Sequence, residues 1–263
     1  MAERVRTIDR INTGPRFSEA EAVQLNRLFR GTDTVEMLGT VLREGLAGDL
    51  AVVSSFGAES AVLLHLVAQV DPSVPVLFLE TGKHFPETLA YRDALVAHLG
   101  LTNLLVLTPD AEALAARDGN GLRWSYDPDG CCDIRKVQPL SRALAALDAS
   151  ITGRKGFQSS TRTGLPRFEI DRSDAQGRLK INPLADWSAE DLDAHFQAHG
   201  LPVHPLIAQG YPSIGCSPCT SKVAKGEDAR SGRWKGWDKV ECGIHVPGAP
   251  DEGGLPPEFD PVF

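Results

Sequence analysis

The 263 residues carry a formal net charge of −8, with 42% hydrophobic and 24% charged side chains, a globular balance that excludes disordered, collagen-like and coiled-coil classes. No run approaches the roughly 18 apolar residues of a membrane-spanning helix, and the opening MAERVRTIDRINTG lacks the apolar core of a secretory signal. The acidic total argues against a general nucleic-acid binder, so the expected setting is the cytoplasm, with neither membrane nor nucleic acid as partner.

Residues 1–48 read as a helical segment packed on the core. Phe17, Val23, Leu25, Leu28 and Phe29 give one rough apolar face, and a second helix after Asp33 covers Val35, Leu38, Val41 and Leu42. Residues 49–245 alternate strand and helix. Strands are expected at Leu50–Val53, Val74–Leu79, Leu104–Leu107 and Ala149–Thr152. Helices are expected at Ala58–Ala68, from Pro86 to Leu99, from Cys131 to Leu147, and from a Ser188 cap to His199. Phe168–Ile181 reads as a hairpin around Asp174–Gly177. This alternation predicts an α/β fold: a mostly parallel sheet with helices on both faces. The Gly- and Pro-rich stretch 246–263 reads as a flexible, disordered C-terminal tail.

Ligands of such sheets sit at the carboxyl ends of the strands. Two loops fall there. Ser54-Ser55-Phe56-Gly57-Ala58-Glu59-Ser60 joins a strand to a helix, where small residues let backbone N–H groups approach an anion. It is neither a Walker A loop nor a G-x-G-x-x-G turn. Leu79-Glu80-Thr81-Gly82 ends the next strand, and the two together favour a nucleotide pocket over two ordinary turns. The charge is also uneven. Segment 131–181 holds ten Lys/Arg against five Asp/Glu, and segment 222–239 holds six against three. A basic site in an acidic protein suits a small anionic substrate, although solvated surface charge clusters by chance as well.

The five cysteines divide into an adjacent pair, Cys131-Cys132, a Cys216-x-x-Cys219 pair, and a single Cys242. Four thiolates can complete a tetrahedral zinc site or ligate one iron–sulfur cluster. Adjacent cysteines chelate one zinc awkwardly, because successive side chains diverge, and more readily reach different irons of a cluster. A redox dithiol and unrelated buried thiols are the remaining readings. Cys242 stands in Glu241-Cys242-Gly243-Ile244-His245, near upstream cations that would depress its pKa, and is a candidate nucleophile or an incidental surface thiol. Arg230 and Arg233 are an i, i+3 pair able to hold phosphate or sulfate oxygens, with Lys136, Arg154, Lys155 and Arg162 as further cations. Of the seven histidines only His245 stands out; the other six show no recognised metal-ligand spacing.

Five motifs in this order and spacing resemble the adenylyl-sulfate and phosphoadenylyl-sulfate reductase family, on its assimilatory adenylyl-sulfate side. They are Cys131-Cys132-x-x-Arg135-Lys136, Thr152-Gly153 followed by Arg162, Cys216-x-x-Cys219, Arg230-x-x-Arg233-Trp234 and Glu241-Cys242-Gly243-Ile244-His245. The resemblance covers about Ala51 to Val246 and implies an ATP-pyrophosphatase-like (adenine nucleotide α-hydrolase-like) fold. It implies that Cys131, Cys132, Cys216 and Cys219 ligate a [4Fe-4S] cluster, with Lys136 between cluster and substrate. It implies an adenosine site at Ser54, Gly57, Ser60, Thr81 and Gly82, and a phosphosulfate site at Arg162, Arg230, Arg233 and His245. Cys242 would be the nucleophile that takes the sulfonate of adenylyl sulfate, on the route from sulfate to cysteine. No thioredoxin-like domain is visible in the sequence, so thioredoxin or glutaredoxin would be the external reductant, and a homo-oligomer is implied. The presence of both cysteine pairs favours adenylyl over phosphoadenylyl sulfate, with a dual-substrate enzyme as the alternative.

The chain departs from the commoner family pattern at Phe56, often a small residue; at Glu80, usually Asp; and at Gly156-Phe157, often a polar Arg-Asp-like pair. One rival of another class is an ATP-dependent adenylating or thiolation enzyme, but its Ser-Gly-Gly-x-Asp-Ser loop is not matched by Gly57-Ala58-Glu59-Ser60. The other rival is a zinc-binding interaction module, which predicts a colourless protein.

Overall fold

The computed structural model describes residues 16–158, 164–239 and 241–244. Six strands form one sheet in the order β3-β2-β1-β4-β6-β5: β1 Leu50–Val53, β2 Val76–Leu79, β3 Leu104–Leu107, β4 Ala149–Thr152, β5 Phe168–Ile170 and β6 Leu179–Ile181. All neighbours pair in parallel except β5, which runs antiparallel to β6 as the expected hairpin.

Successive strand side chains point to opposite faces, and each face has its own apolar layer. Val52, Val76 and Phe78 join a large core with Met37, Leu38, Leu64, Val67 and Leu95. These come from α2 (Thr34–Arg43), α3 (Ser60–Val70) and α4 (Pro86–Leu99). Ala51, Leu77 and Leu79 face the other way, against Leu140 and Leu144 of α7 (Gln138–Leu144), with Ile244 packed on the same layer. Helix ends follow side-chain chemistry. Ser18 and Glu21 form a capping box on α1 (Glu19–Leu28), as do Ser188 and Asp191 on α8 (Ala189–His199). Asp33 caps α2 by accepting from Val35 N at 2.8 Å.

α1 closes one edge of the sheet. Asn26 Nδ2 donates to Phe168 O (2.6 Å), and Asn26 Oδ1 accepts from Phe168 N (3.1 Å), while Phe29 stacks on Phe168 at 5.5 Å. The amide thus occupies both outward backbone groups of Phe168 on this edge strand.

Three expectations shift. The single helix expected from Cys131 to Leu147 is three pieces: α6 (Pro128–Cys132), a π-helical turn over Asp133–Val137, and α7 ending at Leu144. π turns cluster at functional sites because the inserted residue re-aims its neighbours. The first βα helix starts at Ser60, not Ala58, and β2 starts at Val76, not Val74. An additional helix, α5 (Ala111–Asp118), is capped by Asp110 Oδ1. Residues 246–263, expected as a tail, lie outside the described residues.

A buried ion group fixes the hairpin. Asp171 accepts from Lys180 Nζ (3.0 Å), Arg178 Nη2 (3.2 Å), Ser173 Oγ (2.7 Å) and Ser173 N (3.1 Å). Burial pushes its pKa up, but Lys180 and Ser173 outweigh this and lower it to about 2 from 3.8. A depressed carboxylate pKa stabilises the fold above the unfolded value, and that stability is lost as pH falls through the folded one. Asp171→Asn therefore lowers the unfolding free energy by about 3 kcal/mol at neutral pH, since two buried cations lose their counter-ion. Urea denaturation should show this gap narrowing as the pH is lowered from 3.8 towards 2.

Candidate active site

β1 has β2 on one side and β4 on the other, so the connections leaving β1 and β4 diverge and open a crevice at the carboxyl ends of these strands. A cavity of about 330 Å³ lies there. The loop after β1 supplies Ser54, Gly57, Glu59 and Ser60; the loop after β4 supplies Gly153, Arg154, Lys155 and Phe157; and Pro212–Gly215 forms a third wall. Ser54 Oγ accepts from Phe56 N (3.2 Å) and sets the turn. Phe56 has φ +49° and is fully buried, edge-on to Phe78 at 5.6 Å. Its ring is thus spent in the core, and the unusual side chain does not crowd the cavity. A Cβ on Gly57 would stand 3.2 Å from Ile214 O, so glycine lets the first and third walls meet.

Cys242, Lys136 and Arg233 line this same cavity. Cys242 is half-buried, and its charge couples to both cations. Burial pulls the Lys136 pKa down, yet interaction with Cys216, Cys132 and Cys242 outweighs it, so the ammonium is held above its usual range. Burial lowers Arg233, opposed by Cys242, Cys216 and Cys219. Among the described residues neither cation has a carboxylate partner, and Arg233 Nε is buried with no hydrogen-bond acceptor. The guanidinium lies over the Trp234 ring at 4.4 Å, and a Cβ on Gly215 would overlap it. Arg230, by contrast, pairs with Glu241 at 3.5 Å, and Lys155 donates to Glu59 Oε2 at 2.7 Å. Glu59, Asp228 and Glu241 also line the cavity, but Glu59 and Glu241 face Lys155 and Arg230, so Lys136 and Arg233 are left as cations without a carboxylate partner and make an anion site.

The other four cysteines gather beside Lys136. Cys131, Cys132 and Cys216 are buried, and Cys131 and Cys132 each interact electrostatically with both Cys216 and Cys219. Burial pushes Cys131 and Cys132 up to about 11 and raises Cys219. Cys216 goes the other way: burial raises it, but Lys136 and the Thr81 hydroxyl, 3.4 Å away, lower it further. The C-S-P-C turn is tied to the loop after β2 by Ser217 N donating to Lys83 O (2.7 Å), and to the Arg233 segment by Trp234 N donating to Cys219 O (3.1 Å). Behind the pair, Arg135 donates to Thr81 O (2.7 Å) and to Asp118 Oδ2 (2.6 Å).

Ser54, Gly57, Ser60, Lys136, Arg230, Arg233 and Cys242 therefore converge on one cavity, as the sequence motifs imply. Thr81 and Gly82 do not line it. Thr81 is wholly buried against Cys216 and Arg135 and braces the cysteine segment, while Leu79 and His84 of the same connection do line the cavity. Arg162 and His245 lie outside the described residues. The third wall, Pro212–Gly215, was not foreseen; its only sequence signal is the Gly/Pro-rich stretch ahead of Cys216.

The sequence matches the family described as phosphoadenosine phosphosulfate reductase domain over residues 49–222. An adenosine 5'-phosphosulfate reductase of Mesorhizobium japonicum is 49% identical over 248 residues, covering 94% of this chain and 96% of that protein. One of Chelativorans sp. is 51% identical, covering 89% and 94%. A phosphoadenylyl-sulfate reductase from Candida auris, solved as a phosphate complex, superposes with a TM-score of 0.65 at 27% identity, over 79% of this chain and 98% of that one. With the match spanning most of the α/β unit and the reactive residues meeting in one crevice, the chain belongs to the phosphoadenosine phosphosulfate reductase family.

Proposed function

We propose that this protein reduces adenylyl sulfate to sulfite and AMP through a sulfonate carried on Cys242. The observation that carries this reading is one cavity holding a thiol, two cations without acidic partners, and the βα loop of an adenine-nucleotide fold. The curated relatives' name supports adenylyl sulfate as substrate.

The Cys242 thiolate attacks the sulfur of the phosphosulfate anhydride. An S–S bond forms, the S–O bond to phosphate breaks, and AMP leaves with that bonding pair. Attack by an anion on an anionic group needs fixed positive charge, which Lys136 and Arg233 provide where the bridging oxygen gains charge. A dithiol partner, thioredoxin or glutaredoxin, then attacks the Cys242 sulfur. Sulfite departs with the electron pair of the S–S bond, and the partner's second thiol resolves the mixed disulfide. The dithiol supplies both electrons.

Cys131, Cys132, Cys216 and Cys219 fit a [4Fe-4S] group. Four thiols from two separate segments converge next to a cation, and neighbouring Cys131 and Cys132 are both buried into the same group. Their sulfurs are also spread. Among the described residues no three of them lie mutually within 4.8 Å, whereas a tetrahedral zinc with Zn–S bonds of about 2.3 Å would hold its sulfurs about 3.8 Å apart. When bound, the cluster supplies a fixed centre of charge that anchors both cysteine segments. Lys136, coupled to both Cys216 and Cys242, spans the two sites.

Incubating the protein with adenylyl sulfate without thiol should add one sulfonate by intact mass. The adduct should be missing in Cys242→Ser and released as sulfite by thioredoxin. No adduct with adenylyl or phosphoadenylyl sulfate would overturn the reading, and the faster of the two identifies the substrate. Arg233→Ala should lower kcat/KM by about 10²–10³-fold, the range for removing a donor to developing oxyanion charge; Arg233→Lys should restore little, because a point charge cannot replace the planar fork. Elemental analysis should find iron and acid-labile sulfide in equal amounts, and Cys219→Ser should lose the brown colour; one zinc and no sulfide would sink the cluster assignment.

A further inference from the structure

A second donor set lies outside the cavity. His65 projects from α3, while His195 and His199, one turn apart, share a face of α8. One nitrogen from each lies within 4.8 Å of the other two. His65 Nδ1 and His195 Nε2 are 2.9 Å apart. The rings close a triangle with centroid separations of 5.0, 4.5 and 4.3 Å. Trp187 walls one side, edge-on to His195 at 5.4 Å. His65 and His195 are half-buried and His199 is exposed, so an ion has an entry path. None of the three lines the active-site cavity.

Three imidazoles on one point, with no carboxylate among the described residues to pair with them, are an unusual arrangement for hydrogen bonding alone. At most one N–H can serve the His65–His195 contact. Three nitrogens with an open fourth position match a first-row divalent site of the zinc type. Metal–nitrogen bonds of about 2.0–2.1 Å place tetrahedral ligand atoms about 3.3 Å apart, so the 2.9 Å pair need open only slightly. The outer shell is present too. Gln69 Nε2 stands 3.4 Å from His65 Nε2. With Nδ1 on a metal, Nε2 carries the proton, and a flipped Gln69 amide presents its oxygen to that N–H.

We propose that His65, His195 and His199 form a binding site for a zinc-type divalent ion, with water as the fourth ligand, that clamps α3 to α8. The same α3 carries Ser60 and Leu63 into the cavity wall, so the ion would stiffen the frame of the nucleotide site without touching substrate.

Cobalt(II) is the probe, titrated into the full chain as isolated. The expected result is visible ligand-field absorption with no sulfur-to-cobalt charge transfer, displaced by one equivalent of zinc, and a rise in thermal midpoint with zinc. His195→Gln and His199→Gln should each weaken cobalt affinity by at least about tenfold, since loss of a direct ligand should match or exceed the loss of an outer-shell partner. His98→Gln, an exposed neighbour that senses His65, should leave it unchanged. Undiminished affinity in both variants, a sulfur charge-transfer band that places the ion on the cysteines, or no cobalt binding would each overturn the proposal.

Discussion

Placing Lys136 and Arg233 beside each other, half out of water and without a carboxylate, costs several kcal/mol per ion unless negative charge arrives. That constraint organises the active end of the molecule. On one side the charge comes from cysteine sulfur: Cys216 and Cys132 hold the Lys136 ammonium in its charged form. On the other it is left for Cys242 and an incoming anion. Three acids at or near the site already hold a cation. Glu241 pairs with Arg230, Glu59 with Lys155, and Asp118 with Arg135. Positive potential is thus kept for a ligand because Glu59 and Glu241 already have cations, while Asp228, also on the wall, accepts from the Arg230 backbone N–H at 2.7 Å.

Much of this was legible in the sequence, for identifiable reasons. β1, β2 and β4 are short apolar runs, buried wherever two layers cover the sheet, and their type follows from length and flanking turns. The two cysteine pairs and Cys242 were recognisable because thiols are rare and their order is fixed. What stayed hidden depends on packing. The π turn after Cys132 leaves no compositional mark, since Asp133–Val137 reads as ordinary helix. Thr81 looks like a phosphate-loop residue until its hydroxyl is seen at Cys216. His195 and His199 are i, i+4 on one helix, a spacing the sequence does show, but the third ligand is 130 residues away on α3. Only the helix crossing makes that pair meaningful.

The two donor sets are separated by chemistry as well as by position. One offers four thiols, three of them raised by burial and Cys216, against its burial, lowered by Lys136 and Thr81, a donor set that suits a soft ion or cluster able to take the proton's place. The other offers imidazole nitrogens, which suit a borderline ion and give iron–sulfur chemistry nothing to bridge. α3 adjoins both regions, entering the cavity at Ser60 and reaching His65 just over one turn later. A disturbance at the histidines therefore reaches the anion site through a rigid helix.

The only two non-glycine residues with positive φ among those described, Phe56 and Trp234, both flank this cavity. A left-handed backbone at a bulky residue costs on the order of 1–3 kcal/mol and persists only where packing over-determines it. Both have such packing. Phe56 is fully buried against Phe78, and Trp234 is almost fully buried beneath the Arg233 and Lys239 cations. The first turn exposes the βα loop's backbone at the crevice; the second throws Arg233 towards the anion site while Trp234 N stays bonded to Cys219 O. Aromatic burial thus supplies the energy that holds strained turns open around a site of unbalanced positive charge.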